Sequence, residues 1–122
     1  MSRYEIQNLK EIEDSAQKFG LSPDLEARFA PGFSYQRLAP NFRIPFGHKH
    51  AEQEEVYVLV SGSGRVKLDD EVVELKQWDA VRVPKDTMRN FEAGPEGAEI
   101  LVFGAPRTPP GDAEVTHGWW TD

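Results

Sequence analysis

From Phe33 to Phe103 the chain reads as short runs rich in Val, Tyr, Phe and Ile, separated by Gly, Pro and Asp. Runs of this kind, broken by residues that accept turn conformations, are the signal of successive strands. The pattern predicts strands over Phe33–Leu38, Phe42–Phe46, Glu55–Val60, Gly64–Leu68, Val72–Leu75, Ala80–Val83, Met88–Phe91 and Glu99–Phe103. Many short strands joined by tight turns imply a sandwich or a barrel, so the expected fold class is all-β. Ser61-Gly62-Ser63-Gly64 and Asp69-Asp70-Glu71 each predict a hairpin, because both supply residues that tolerate positive φ. Val56, Val58 and Val60 alternate with Tyr57 and Leu59, leaving this strand apolar on both faces. It must be covered on both sides and is therefore central.

Upstream, the period changes. Leu9, Ile12, Ala16 and Phe19 recur at helical spacing, with Asn8 placed to cap the start and Gly20 to end it. This predicts an amphipathic N-terminal helix packed outside the barrel. Ser22-Pro23-Asp24 resembles a second helix start and predicts a short helical turn over Leu25–Phe29 before Ala30-Pro31-Gly32 breaks the chain. Downstream, the Pro-rich stretch Ala105–Gly111 excludes helix and interior strand and reads as a linker to Trp119-Trp120. Two such large rings are expected to cover a sheet face or a partner chain. The expected organisation is a helical segment over residues 1–32, a barrel over 33–104 and a tail over 105–122.

Composition narrows the function classes. At 122 residues the chain fits one core. Lys and Arg number 14 against 21 Asp and Glu, a net charge of −7 that opposes phosphate backbones and anionic membrane surfaces. Nucleic acid and membrane are thus disfavoured as partners. With no cysteine, disulfides, thiolate catalysis and sulfur-based zinc sites are excluded, and a metal would have to be held by His and carboxylate. Met1–Glu5 runs into polar sequence without the apolar stretch of a secretory signal, and no run approaches the ~18 apolar residues of a membrane span. The expected location is cytoplasmic.

The candidate chemistry lies in Gly47-His48-Lys49-His50, followed by Glu55 and Gly62. Residues i and i+2 of a strand share a face, so His48 and His50 present both imidazoles to one side. Glu55 starts a neighbouring strand and can return its carboxylate to them. Two imidazoles and one carboxylate suit Fe, Mn, Ni or Zn; the alternative is two surface histidines flanking a polar loop. If His48 and His50 face inward, alternation also turns Ile44, Phe46, Tyr57 and Leu59 inward, with Phe91 beside Arg89. Ile44 and Leu59 read as core, whereas Phe46, Tyr57, Phe91 and Arg89 are candidate ligand-binding residues, because apolar walls with a few polar groups describe a small-molecule site.

The spacing H-x-H-x4-E-x6-G on His48, His50, Glu55 and Gly62 resembles the first motif of the cupin superfamily, and Pro40-Asn41 stands where that family has a Pro-Gly turn. The second motif, G-x5-P-x-G-x2-H, aligns on Trp78, Pro84, Asp86 and Arg89 with its spacing kept and three of its markers replaced. The resemblance implies a double-stranded β-helix, the jelly-roll barrel. It also implies a metal held by two His and a Glu of the first motif and a His of the second. Arg89 takes that last place and has no lone pair to donate. Either a weakened three-ligand site persists or Arg89 pairs with Glu55 in the metal's stead. His117 is a possible replacement ligand, set against its position in the tail, where a histidine is usually solvated.

Two functions of different class follow. The first is a small-molecule-binding cupin in which Arg89 holds an anionic group; the second is a metal-dependent enzyme of the dioxygenase, isomerase or decarboxylase type. A purely structural module would leave His48, His50 and Glu55 unexplained, and no helix-turn-helix domain fits in this length. Any divalent metal is expected to be weakly held. The resemblance further implies a homodimer, paired through sheet faces or exchanged N-terminal strands. Arg89 is expected to point into the barrel, the alternative being a solvent-facing guanidinium at its mouth.

Overall fold

The computed structural model describes residues 5–11, 25–30, 32–104 and 113–122. Its strands are β1 (Leu25–Ala30), β2 (Phe33–Leu38), β3 (Phe46–His50), β4 (Glu55–Leu68), β5 (Glu71–Leu75), β6 (Ala80–Val83), β7 (Arg89–Gly104) and β8 (Ala113–His117). The fold is all-β, and every strand pairing among the described residues is antiparallel.

β4 and β7 form the spine, paired from Glu55↔Gly104 at one end to Leu68↔Arg89 at the other. On its other side β4 carries β6 along its first arm and β5 along its second. β7 extends the pairing to β2 and, at His48↔Arg89, to β3. The central position of the two-sided apolar run Val56–Val60 is as its pattern requires.

The register of the spine shifts between Leu59 and Ser61 and again between Gly62 and Gly64. Bulges bend a strand and let it pass from one sheet layer to another. Gly62 adopts φ 84°, and a Cβ there would lie 2.0 Å from the Gly97 carbonyl oxygen, so a side chain cannot be accommodated. This corrects the expected hairpin at Ser61–Gly64. The chain bends there without reversing, β4 runs on for 14 residues, and the runs expected over Met88–Phe91 and Glu99–Phe103 fall, from Arg89 on, in the two arms of the 16-residue β7. The second expected hairpin is present, with Asp69 at φ 50° and Leu68 paired to Glu71.

Alternation along the spine buries Tyr57, Leu59, Val66, Phe91, Ile100 and Val102 in one core with Val83. Each such aliphatic or aromatic side chain contributes about 1.5–3 kcal/mol on leaving water. On the other face, Trp120 is 4% exposed and lies against two guanidiniums, Arg43 at 4.2 Å and Arg65 at 5.1 Å from the ring centroid. Glu92 accepts a hydrogen bond from each arginine at 2.8 Å. Trp119 packs on Gly47, where a Cβ would meet its Cε3 at 2.5 Å. The paired indoles thus cover a sheet face of their own chain.

Three further expectations require correction. The N-terminal helix is not supported: Leu9–Glu11 form a single 3-10 turn, with Asn8 Oδ1 accepting the Lys10 amide at 2.9 Å, and residues 12–24 lie outside the described set. Leu9 packs on Tyr35, so the turn still covers a sheet face. Leu25–Phe29 is not helical; β1 pairs with the edge of β2, whose backbone groups it satisfies. The strand expected over Phe42–Phe46 begins instead at Phe46, while Arg43 makes an isolated bridge to Glu92.

Candidate functional site

β3 brings His48 and His50 to one face, and β4 opens on Glu55 beside them. Donor atoms of the three residues lie within 4.8 Å of one another. Glu55 Oε1 is the hub: His50 Nε2 stands at 3.4 Å, His48 Nε2 at 3.8 Å and Arg89 Nη2 at 3.9 Å from it. The Tyr57 hydroxyl, two residues along the same strand, donates to this oxygen at 2.8 Å. Burial disfavours the Glu55 carboxylate, yet the approach of the His48 and His50 imidazoles and the hydrogen bond from Tyr57 hold it well below the usual carboxylate range. Burial likewise pushes the His48 imidazole below its ordinary value, an effect that Arg89 reinforces and Glu55 opposes.

A lowered His48 value and an ionised Glu55 carboxylate suit a divalent ion, which binds the unprotonated forms. The donor set therefore fits a transition metal through three protein ligands, with open positions left over. The side chain of His48 is 25% exposed, the most of the three, so the cluster opens to solvent on the His48 side.

Arg89 points inward, as expected, and is 1% exposed. Register explains its place, since it is paired with both His48 and Leu68. Its Nη1 donates to the His48 carbonyl at 3.3 Å, whereas Nε and Nη2 have no hydrogen-bond partner among the described residues. At 3.9 Å the contact with Glu55 is an ion pair rather than a hydrogen bond. Desolvated N–H groups without acceptors cost about 1–3 kcal/mol each, more on a charged group.

Tyr57 and Phe91 are buried and stacked, with ring centroids 5.2 Å apart and 26° between their planes. They line the inside of the barrel next to Glu55 and Arg89. Phe46 is half-buried, its ring 6.3 Å from that of His48. Ile44 and Leu59 are core, as expected. His117 is exposed on β8, edge-on to Phe46 at 5.5 Å, and lies outside the donor cluster.

The backbone of the second motif repeats a glycine conformation without the glycines. Trp78 has φ 74° and Asp86 φ 64°, and Asn41 of the Pro40-Asn41 turn has φ 61°. The left-handed region costs a residue with a side chain roughly 1–2 kcal/mol. Only glycine enters it freely. Sequence reading also missed β8, whose five residues pair with β3 from Phe46 to His50 and brace the strand that carries both histidines. The threonine and valine of Ala113–His117 were the available signal, overshadowed by the prolines just upstream.

Comparison with known proteins agrees with this geometry. The uncharacterized protein MJ1618 of Methanocaldococcus jannaschii is 33% identical over 69 residues, covering 56% of this chain and 55% of that one. The chain thus spans about half the length of the curated relative it matches. A cupin protein from Bacteroides fragilis superposes with TM-score 0.60 at 25% identity, over 76% of this chain and 86% of that one. An uncharacterized conserved protein with a double-stranded β-helix domain from Klebsiella pneumoniae superposes with TM-score 0.73 at 15% identity, over 96% of this chain and 99% of the other. The family model described as "Cupin domain" matches residues 34–104, the span that holds both halves of the donor cluster and Arg89, and this chain belongs to the cupin domain family.

Proposed function

We propose that this protein is a small-molecule-binding cupin that takes an anionic organic ligand at Arg89, beside a three-donor metal site at His48, His50 and Glu55. The carrying observation is the buried guanidinium with unpartnered Nε and Nη2. A buried charge left short of acceptors is offset when a ligand supplies them. Tyr57, Phe91 and Phe46 provide the apolar wall against which the ligand's carbon skeleton rests. A divalent metal at the donor set would polarise an oxygen of the ligand. The test is titration of small organic acids into the protein and into Arg89→Met. Loss of a charge-assisted contact is expected to weaken binding by about 1.5–3 kcal/mol; equal affinities would remove Arg89 from the reading.

The second reading, a metal-dependent enzyme, is favoured by the donor cluster itself, which opens to solvent on its His48 side. Elemental analysis of protein purified without added metal separates the tightly held metal expected of the enzyme from the weak site expected of the binder. Stoichiometric Fe, Mn, Ni or Zn favours the enzyme. A homodimer in the cytoplasm is the proposed setting. Trp120 is buried in its own chain, so pairing would have to use apolar surface elsewhere, such as Val72, Val73 and Trp78. Light scattering that gave a monomer mass at micromolar concentration would exclude the dimer.

A further inference from the structure

We propose that Arg89 and the His48–His50–Glu55 cluster form one composite site, in which a carboxylate and a divalent transition metal each bind weakly alone and tightly together. The inference rests on the reading of Arg89 as an anion holder and goes beyond it by fixing the class of anion and coupling it to the metal.

The guanidinium is already used on one side, where Nη1 donates to the His48 carbonyl at 3.3 Å. The hydrogens on Nε and Nη2 point the same way along another edge, and neither nitrogen has an acceptor among the described residues. Two parallel N–H groups on one edge match the two oxygens of a carboxylate, a bidentate pairing that a lysine ammonium cannot make. Nη2 ends 3.9 Å from Glu55 Oε1, the same oxygen that both imidazole nitrogens approach within 3.8 Å. The fork and the metal donors thus meet at one atom.

Formal charge decides the thermodynamics. With neutral imidazoles the empty site balances, Arg89 at +1 against Glu55 at −1. A divalent ion alone raises the sum to +2 beside a guanidinium that repels it. A carboxylate alone lowers the sum to −1 beside the Glu55 carboxylate that repels it. Bound together they bring the sum to +1, each anion flanked by a cation, and these contacts are strong because the site is partly withdrawn from water. Three protein donors leave the metal open positions that an oxygen anchored by Arg89 can fill. The stacked Tyr57 and Phe91 rings beside the fork favour an organic acid over a bare inorganic anion.

The experiment is a reciprocal titration, followed by calorimetry and by the visible absorption of Co2+. Co2+ is titrated with and without saturating acetate, and acetate with and without saturating Co2+, in the unaltered protein, Arg89→Met and Arg89→Lys. Each ligand is expected to tighten the other by the same factor, roughly tenfold or more, as linkage requires. That factor should fall to near one in Arg89→Met and in Arg89→Lys, which keeps the charge and loses the fork. Full coupling retained in either variant overturns the proposal, because acetate would then be binding the metal without the fork. Sulfate coupling more strongly than acetate overturns the carboxylate assignment. Acetate that binds equally with and without Co2+, yet needs Arg89, sinks the coupling while the anion-binding reading stands. Acetate indifferent to Arg89 under every condition sinks both.

Discussion

The stretch from Phe46 to Gly62 and the stretch from Trp78 to Arg89 both build the site, yet they keep different things. The first retains side-chain chemistry: His48, His50 and Glu55 converge within 4.8 Å. The second retains only backbone shape, with Trp78 and Asp86 held at positive φ where the family's motif has glycine, and its metal-binding position carries Arg89. Backbone curvature and site chemistry are therefore separable in this barrel, since the turns can pay the strain of the wrong residues while a ligand position changes sign.

The largest expected effect tests whether the two sides depend on each other equally. Glu55→Leu leaves a buried guanidinium without its counter-charge and should cost about 3–5 kcal/mol in urea unfolding. Arg89→Met leaves Glu55 with Tyr57 and both imidazoles and removes unsatisfied buried donors. It should stay within about 1 kcal/mol of the unaltered protein. Equal losses in the two variants would mean that Glu55 depends on Arg89 as much as Arg89 depends on Glu55, and the contrast between the stretches would collapse.

Next in size is Gly47→Ala, which drives a methyl into the Trp119 indole and should cost about 1–3 kcal/mol. Weaker Co2+ binding should accompany it, because the displaced strand carries His48. Trp78→Gly should act in the opposite sense. Trp78 is 70% exposed, so little packing is lost, and relief of a left-handed tryptophan minus the unfolded-state entropy of glycine leaves a gain of up to about 1 kcal/mol. A loss of stability would show that the exposed indole has a contact worth more than its strain.

The smallest effect is the upper limb of a pH slope, to which the first stretch contributes through His48. His48 and Glu55 both have folded-state values below their unfolded ones, so the unfolded chain binds more protons and stability rises with pH. For His48 the contribution is complete above about 6.5, its ordinary value, and is lost as pH falls. For Glu55 the loss begins only below 4.5. Chelator-treated His48→Gln should lack the upper limb of the urea-midpoint profile and keep the lower one.

The fold class, the central strand and the donor residues were legible because each rests on a local period: two for strands, and i, i+2 for the imidazole pair. What escaped depends on a partner distant in sequence. Ser61–Gly64 carries ordinary turn residues, and whether they reverse the chain or bend it was decided by Gly97 lying against Gly62. Leu25, Ala27 and Phe29 alternate with Glu26 and Arg28, a strand period that the helix-start residues Ser22-Pro23-Asp24 concealed. Arg89 was placed correctly by motif spacing. Its unpaired edge could be seen only once β3 had used Nη1.

The contact between Trp119 and Gly47 also gives the molecule an optical consequence. An indole that occupies the space of a missing side chain one residue from His48 is a built-in fluorophore for the ligand strand. Trp78, the exposed indole, is open to iodide, while Trp120 is buried against two guanidiniums. With the Trp78 emission quenched, the light that remains comes from the two indoles backing the site. Occupancy by Co2+ can then be followed by energy transfer in the unlabelled protein.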